Sequence, residues 1–394
     1  MSFHRVDSIL ENPASKQEPP MSLADLCEDV ILIIFDHLDA LWTEQTTSFK
    51  SLSCTNHYFR RLLTPRLFKT LSINQPISQL VPTRILRHAQ VFKIDMFGSM
   101  WWWCSGSYTS GSDAVELFRY IRALPRLKTL EISMMKRSLD MFDAAFESPD
   151  HNVKEFMLPR IEHLVVNSSA AFLASHCPRL KTLVLRDSED CLLDSYTDIA
   201  KRLVPLHPNI ASCASETLVH FDAMAIWCPE ELSRLVRAFP RLHYLRMRTD
   251  TYCYRASTPD IIETLSGGLD NLQSLHLVKS GNLNMGYQSV WKRRIPASSD
   301  EEYRRALWLE NERLRVSVEN TVARLAFREI VALDEIWLGE KRVARRMRKD
   351  PNDGLKWLWE RKREDADTCG MATGAFLRFK LEKENVVLPS EMGS

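Results

Sequence analysis

Apolar residues recur along this chain at the spacing L-x-x-L-x-L. ALPRLKTLEIS (123–133) carries Leu127, Leu130 and Ile132, and HCPRLKTLVLR (176–186) carries Leu180, Leu183 and Leu185. MLPRIEHLVVN adds Ile161, Leu164 and Val166, AFPRLHYLRMR adds Leu242, Leu245 and Met247, and GLDNLQSLHLV adds Leu272, Leu275 and Leu277. Looser copies fall at Val91, Ile94 and Met96, at Leu218, Phe221 and Ala223, and at Leu333, Ile336 and Leu338. The last two apolar residues of each copy are two apart, so each copy predicts a short strand with one buried face.

Helical patterns precede many of these strands. In PEELSRLVRAF, Leu232, Leu235, Val236 and Phe239 lie at i, i+3, i+4 and i+7, one face of a helix. SDAVELFRYIRAL, SSAAFLASHC, PDIIETLS and SVENTVARLAFREIV stand in the same relation to Leu127, Leu180, Leu272 and Leu333. The Pro between helix and strand cannot continue the helix and favours extended backbone before it. Units of helix, turn and strand, stacked side by side, resemble the leucine-rich-repeat solenoid, which implies a parallel sheet with a helical layer behind it. The gaps between copies run from 19 to 61 residues, so an irregular solenoid with insertions is expected. A common α/β domain with leucine-rich strands is the other reading.

Alternation along a strand turns the residue between the two buried positions outward. Down the stack these are Glu131, Val165, Val184, Asp222, Arg246, His276 and Trp337. The later half gathers side chain types that dominate binding sites, which makes Tyr244, Arg246, Arg248, His276 and Trp337 the candidate substrate-binding residues. Arg246 and Arg248 together would suit an acidic or phosphorylated segment. Plain solvated strand surface is the alternative.

Residues 21–73 follow a different, all-helical pattern. Asp25 and Glu28 have the spacing of a capping box and start a helix near Leu26. Val30 to Phe35 (VILIIF) are then apolar on every side, more than one core-facing stripe requires. One face can fold onto Leu52, Phe59 and Leu63 of the next helix, and the remainder calls for another cover. The β-branched content of VILIIF would also suit a buried strand; the capping box and the short DHLD ending favour the helix.

Leu26, Glu28, Val30, Ile34, Phe35 and Leu38, followed by Leu52, Cys54, Phe59, Arg60 and Leu62, resemble the F-box, the helical module of substrate receptors in Skp-cullin-F-box ubiquitin ligases. Cys27 stands where that family has Pro. The resemblance implies that the module docks on a Skp adaptor, with Leu26, Cys27, Val30, Ile31, Ile34, Phe35, Leu38, Leu52 and Phe59 as the adaptor-binding residues. It also implies that the repeats behind it hold a protein to be ubiquitinated.

Charge is balanced, with 52 Lys and Arg against 51 Asp and Glu, which gives no general pull towards nucleic acid or membrane. Nine cysteines without a C-x-x-C pair fit reduced thiols in an intracellular, cytoplasmic or nuclear protein. The longest clean apolar run, VILIIF, is far short of the roughly 20 residues of a membrane span, so a soluble chain is expected. No Gly-rich phosphate loop, H-E-x-x-H or G-x-S-x-G occurs, and neither catalytic residues, a metal nor a cofactor is expected. GSMWWWCSGSYTSGSD (98–113) places Trp101, Trp102 and Trp103 before a Gly/Ser loop, either as core side chains or as a binding lip. KRVARRMRK (341–349), written as a helix, lines Arg342, Arg345, Arg346 and Lys349 along one side, as a solvated face, a nuclear localisation signal or a patch for an acidic partner. Trp357 and Trp359 are expected to turn inward and cap the repeats.

The expected fold class is α/β: a leader (1–20), a short all-α F-box (21–66), a leucine-rich-repeat-like solenoid (67–349) and a C-terminal cap or tail (350–394). The expected function is that of a non-enzymatic substrate receptor, which raises effective concentration by bringing two proteins together. A leucine-rich scaffold with no link to a ligase is the alternative.

Overall fold

The computed structural model describes residues 26–41, 46–73, 83–94, 111–133, 156–186, 216–225, 227–249, 254–287, 301–340, 342–347, 356–361 and 392–393. The Trp101 to Trp103 loop and Asp25 lie outside these residues. The chain divides into two compact units, Met1–Phe68 and Lys69–Ser394.

Among the described residues the first unit has three helices, α1 (Glu28–Leu41), α2 (Thr46–Thr55) and α3 (His57–Leu67). Helix α1 begins at Glu28, two residues later than the sequence predicts. Leu52 and Phe59, expected on one helix, lie on two. The break falls at Asn56, whose extended backbone and side chain cap α3 by accepting from the Phe59 N–H at 2.9 Å. Ile31 and Phe35, one turn apart on α1, form the core with Phe49, Phe59 and Leu63. The rings of Phe35 and Phe49 meet edge to face at 5.4 Å. Arg66 ties α3 to α1 by donating to Asp36 at 2.6 Å and to the Leu32 carbonyl at 3.3 Å.

The second unit is built on a sheet of twelve strands among the described residues, paired in chain order. They are β1 (Thr70–Ile73), β2 (Val91–Ile94), β3 (Thr129–Ile132), β4 (His163–Val166), β5 (Thr182–Leu185), β6 (His220–Met224), β7 (Tyr244–Arg248), β8 (Ser274–Leu277), β9 (Glu335–Leu338), β10 (Arg342–Arg346), β11 (Trp357–Arg361) and β12 (Met392–Gly393). From β1 to β9 every pairing is parallel, and from β9 onward every pairing is antiparallel. The helical segments between strands among the described residues are α4 (Thr83–Leu86), α5 (Gly111–Ala123), a 3-10 stretch at Ser168–His176, α6 (Pro229–Ala238), α7 (Thr258–Ser266), a 3-10 turn at Ser280–Asn282 and α8 (Glu301–Glu329).

Register carries the repeat. Leu130, Leu164, Leu183, Phe221, Leu245, Leu275 and Ile336 pair in one continuous inward row, and each is fully buried. The strand at 91–94 fits the row through Phe92 and Ile94, with Ala89 in the first apolar place. The expected places Val91, Ile94 and Met96 therefore shift by two residues, because Phe92 and Ile94 offer the same two-residue spacing two residues earlier; Met96 lies outside the described residues. A ninth parallel strand, β1, joins ahead of it through Leu71.

The turns explain the Pro-Arg signature. The Ile161 N–H donates to the Leu158 carbonyl, closing a four-residue turn with Pro159 in its second place, and Leu180 does the same to Cys177 across Pro178. Pro presets the backbone angle that this place requires. Leu242 to Phe239 closes a third copy, while Leu272 to Leu269 and Leu333 to Ile330 keep the turn without Pro. Each strand then starts with a shared acceptor: two successive N–H groups of one unit donate to a single carbonyl of the unit before. Lys128, Glu162, Lys181, Val219, His243 and Gln273 all accept in this way.

Three further segments depart from the sequence reading. SSAAFLASH forms a 3-10 helix, and the helix before Leu333 runs back to Glu301, 29 residues in all. KRVARRMRK is a strand where it is described, not a helix. Gly339, at φ 69°, opens a tight hairpin after β9, and Val343 and Ala344 are buried in β10. The basic residues are spoken for there: Arg342 pairs with Glu319 and lies 5.1 Å over the Trp359 ring, and Arg345 pairs with Glu335 and Glu360. Arg346 donates to the carbonyls of Phe327, Ile330 and Val331, which closes the C-terminal end of α8. Trp357 and Trp359 are buried as expected, and both donate to Asn320 Oδ1, at 3.3 and 2.8 Å.

Cys177 is fully buried, and burial pushes its thiol pKa up, whereas Cys27 and Cys54 are exposed. Iodoacetamide at mildly alkaline pH should modify Cys27 and Cys54 in the folded protein and leave Cys177 intact until denaturant is added, as read by peptide mass mapping. Equal labelling of Cys177 in the native state would contradict this burial.

Candidate functional site

Two surfaces carry the candidate residues, one in each unit. On the three-helix unit, Ile31, Phe35 and Phe59 belong to its own core, and Leu26, Ile34 and Leu52 lie against that core, half-buried. Leu38 lies on α1, but its side chain is outside the described residues. Cys27, just ahead of α1, is exposed, and α1 itself turns the aliphatic side chains of Val30 and Ile33 outward, at 40% and 55% exposure. Val30 and Ile33 are one turn apart, on the side of α1 away from Ile31 and Phe35. Ile33 escaped the sequence reading because VILIIF is uniformly apolar. Only the position of the α2 and α3 core tells which of its members face out.

On the repeat unit, the seven residues predicted to face outward do pair directly with one another, Glu131 with Val165, then Val184, Asp222, Arg246, His276 and Trp337. Across β6 to β9 this face holds a ladder of rings. His220 and Tyr244 stack at 3.8 Å with planes 5° apart, Tyr244 meets His276 at 4.7 Å, and His276 stacks on Trp337 at 5.0 Å and 8°. Trp337 is nearly closed off by its neighbours, and its Nε1 donates to Glu335 at 3.0 Å. Glu335 also accepts from Ser274 at 2.7 Å. Burial is the main cause that lowers the His220 pKa; Asp222 opposes it and His163 adds to it. Burial likewise raises the pKa of the Tyr244 hydroxyl.

Beside the rings lies an ion network centred on Asp222, itself almost fully buried. Arg248 donates to Asp222 at 2.7 Å and to the Leu185 carbonyl at 2.9 Å. Arg246 reaches Asp222 at 3.8 Å and Glu340 at 2.8 Å. Arg246 and Arg248, expected to suit an acidic segment, both already answer carboxylates of the chain. His220 was missed as a ladder member, although it holds the same place in β6 that Tyr244 holds in β7. Two-residue alternation around Asp222 was the signal for it.

The half-buried rings of His220, Tyr244 and His276, beside a locally neutral ion network, make a surface suited to holding another molecule by stacking and apolar contact. Among the described residues no cluster of His, Cys, Asp or Glu is placed to hold a metal ion, and no helix is long and apolar enough to cross a membrane.

No protein-family model matches this chain. No curated protein matches it either. Among solved structures, the chain is similar to the leucine-rich repeat-containing protein LegL7 of Legionella pneumophila at 15% identity, over 55% of this chain and 70% of that one, with a TM-score of 0.30. The leucine-rich-repeat-like architecture stands on the register, turns and burial described above.

Proposed function

We propose that this protein is a substrate receptor of a Skp-cullin-F-box ubiquitin ligase, docking a Skp adaptor through α1 and a target protein through the outward face of β6 to β9. It holds its partners and transforms neither. The observation that carries this reading is the outward pair Val30 and Ile33, aliphatic side chains that the unit's own core leaves in solvent. The F-box-like pattern around them supplies the partner's identity. The neutral ring ladder replaces the paired arginines as the target-binding feature.

Adaptor binding tests the proposal. Val30→Lys with Ile33→Lys should weaken retention of a purified Skp adaptor by tenfold or more, about 1.4 kcal/mol at the least, with thermal unfolding unchanged. His220→Ala with Tyr244→Ala should keep the adaptor and lose the remaining partners of the wild type. Undiminished adaptor retention by the lysine variant would defeat the ligase reading. A repeat scaffold with no ligase link is the second reading, favoured by the observation that Ile31, Phe35 and Phe59 are accounted for by the unit's own core.

A further inference from the structure

Two residues before the outward row that holds Glu131 and Asp222, register aligns a second outward row: Thr129, His163, Thr182, His220 and Tyr244, on β3 to β7. All five side chains are half-buried. Among the described residues none of their hydroxyls or ring nitrogens has a hydrogen-bond partner, and none of these atoms is closed off from solvent. The next member, Ser274, gives the contrast, since it is buried and its hydroxyl donates to Glu335 at 2.7 Å. A polar group taken out of water needs a partner, so whatever covers the five must supply one.

The chemistry of the row selects that cover. A hydroxyl both donates and accepts, and a neutral imidazole does one at each nitrogen. A carboxylate only accepts and an ammonium only donates, whereas an extended backbone offers one donor and one acceptor per residue. Charge sets no contrary preference. Lys93 and Arg186 both answer Glu131, at 2.9 and 2.6 Å, and Arg246 and Arg248 answer Asp222. With these cations paired, the row is a poor match for the phosphates of a nucleic acid. A sugar would also donate and accept, but the aromatic face it would lie on is not free: Tyr244 has His220 on one side at 3.8 Å and His276 on the other at 4.7 Å.

An apolar seat lies beside the row. Val165 of β4 and Val184 of β5 pair directly, between Glu131 and Asp222, and both are half-buried on the outward face. They follow His163 and Thr182 by two residues on the same strands, so a chain lying on the row can turn an aliphatic side chain onto them. Neighbouring strands are about 4.8 Å apart, which makes the row about 19 Å long, the reach of about six residues of extended chain.

We propose that the row from Thr129 to Tyr244 binds an extended, uncharged segment of a protein partner through that segment's backbone, with an aliphatic side chain seated on Val165 and Val184. This rests on the reading of the outward face as the target surface, carries that surface back to β3, and is independent of adaptor docking.

The probe is a fluorescein-labelled peptide, Asn-Val-Ser-Val-Asn-Val-Ser, titrated into the full-length chain and read by fluorescence anisotropy. Its affinity should change little as salt is raised, because no charge pair forms. Thr129→Val, His163→Phe and Thr182→Val together keep the bulk of the row and remove its hydrogen bonds, and should weaken binding by about tenfold or more. Val165→Thr with Val184→Thr should weaken it by about threefold or more through the seat. Thermal unfolding of each variant checks the fold, and if the triple variant unfolds early, Thr182→Ala alone decides, with a loss of about threefold expected. Val30→Lys with Ile33→Lys should bind the peptide as the wild type does, so a failure of adaptor docking and a failure here are read separately. The proposal is overturned if the wild type does not bind the peptide, or if the folded row variant binds it equally. It is also overturned if Asp or Lys in place of Asn tightens binding, or if maltohexaose displaces the peptide at lower concentration than the unlabelled peptide does.

Discussion

Leu130→Ala and Leu183→Ala each lower the free energy of unfolding by about 2 to 5 kcal/mol, the range for emptying a leucine site in a closed core. Both side chains are fully buried, and both pair directly with Leu164, so the two cavities would open in one row two strands apart. Urea denaturation measures the loss. Thr129→Ala and Thr182→Ala, on the outward side of the same strands, serve as controls and should stay within about 0.5 kcal/mol of the wild type. If the leucine variants unfold with the controls, the inward row does not hold the repeats together.

A loss of similar size is expected at Glu319. This carboxylate, 2% exposed, lies in α8 and accepts from Arg315 at 2.6 Å, from Arg342 of β10 at 3.2 Å and from the Ser280 hydroxyl at 3.3 Å. Burial alone would push the Arg315 pKa down; Glu312 and Glu319 outweigh it and hold the guanidinium above its usual range. Glu319→Ala leaves two largely buried guanidiniums short of their counter-charge and should cost about 3 to 5 kcal/mol. The exposed pair Arg328 and Glu329 gives the contrast, since Glu329→Ala should cost at most about 1 kcal/mol. Matching urea midpoints for the two variants would show that the buried network contributes no more than a surface pair.

Both predictions use residues of very different visibility in the sequence. The leucines announce themselves, because burial of one strand face leaves a two-residue signature whatever the neighbours are. The Glu319 network does not. Its partners lie 39 residues before it in Ser280 and 23 after it in Arg342, and only the docking of α8 against the hairpin brings them together. The same limit explains Arg246 and Arg248. On their own strand they look like free cations, and Asp222 reaches them through parallel pairing with a strand that begins 24 residues earlier. KRVARRMRK failed for a related reason. Its charges suit a solvated helix, but Gly339 commits the chain to a hairpin before helical periodicity can count. On α1, composition alone located the apolar stretch, while burial had to separate Ile31 and Phe35 from Val30 and Ile33.

The shared carbonyl at each strand start fixes something else about this chain. From the closing residue of the turn to the first residue of the strand the count is constant: Ile161 to His163, Leu180 to Thr182, Leu242 to Tyr244, Leu272 to Ser274 and Leu333 to Glu335. One added residue there would slide the strand by a step and exchange its inner and outer faces. Between the end of one strand and the next turn no such count recurs: α7 has nine residues and α8 has 29. The chain can therefore lengthen in that interval, unit by unit, while the start of each strand keeps a fixed ruler. Added length between one strand and the next turn leaves the alignment of the rings and of the ion network undisturbed.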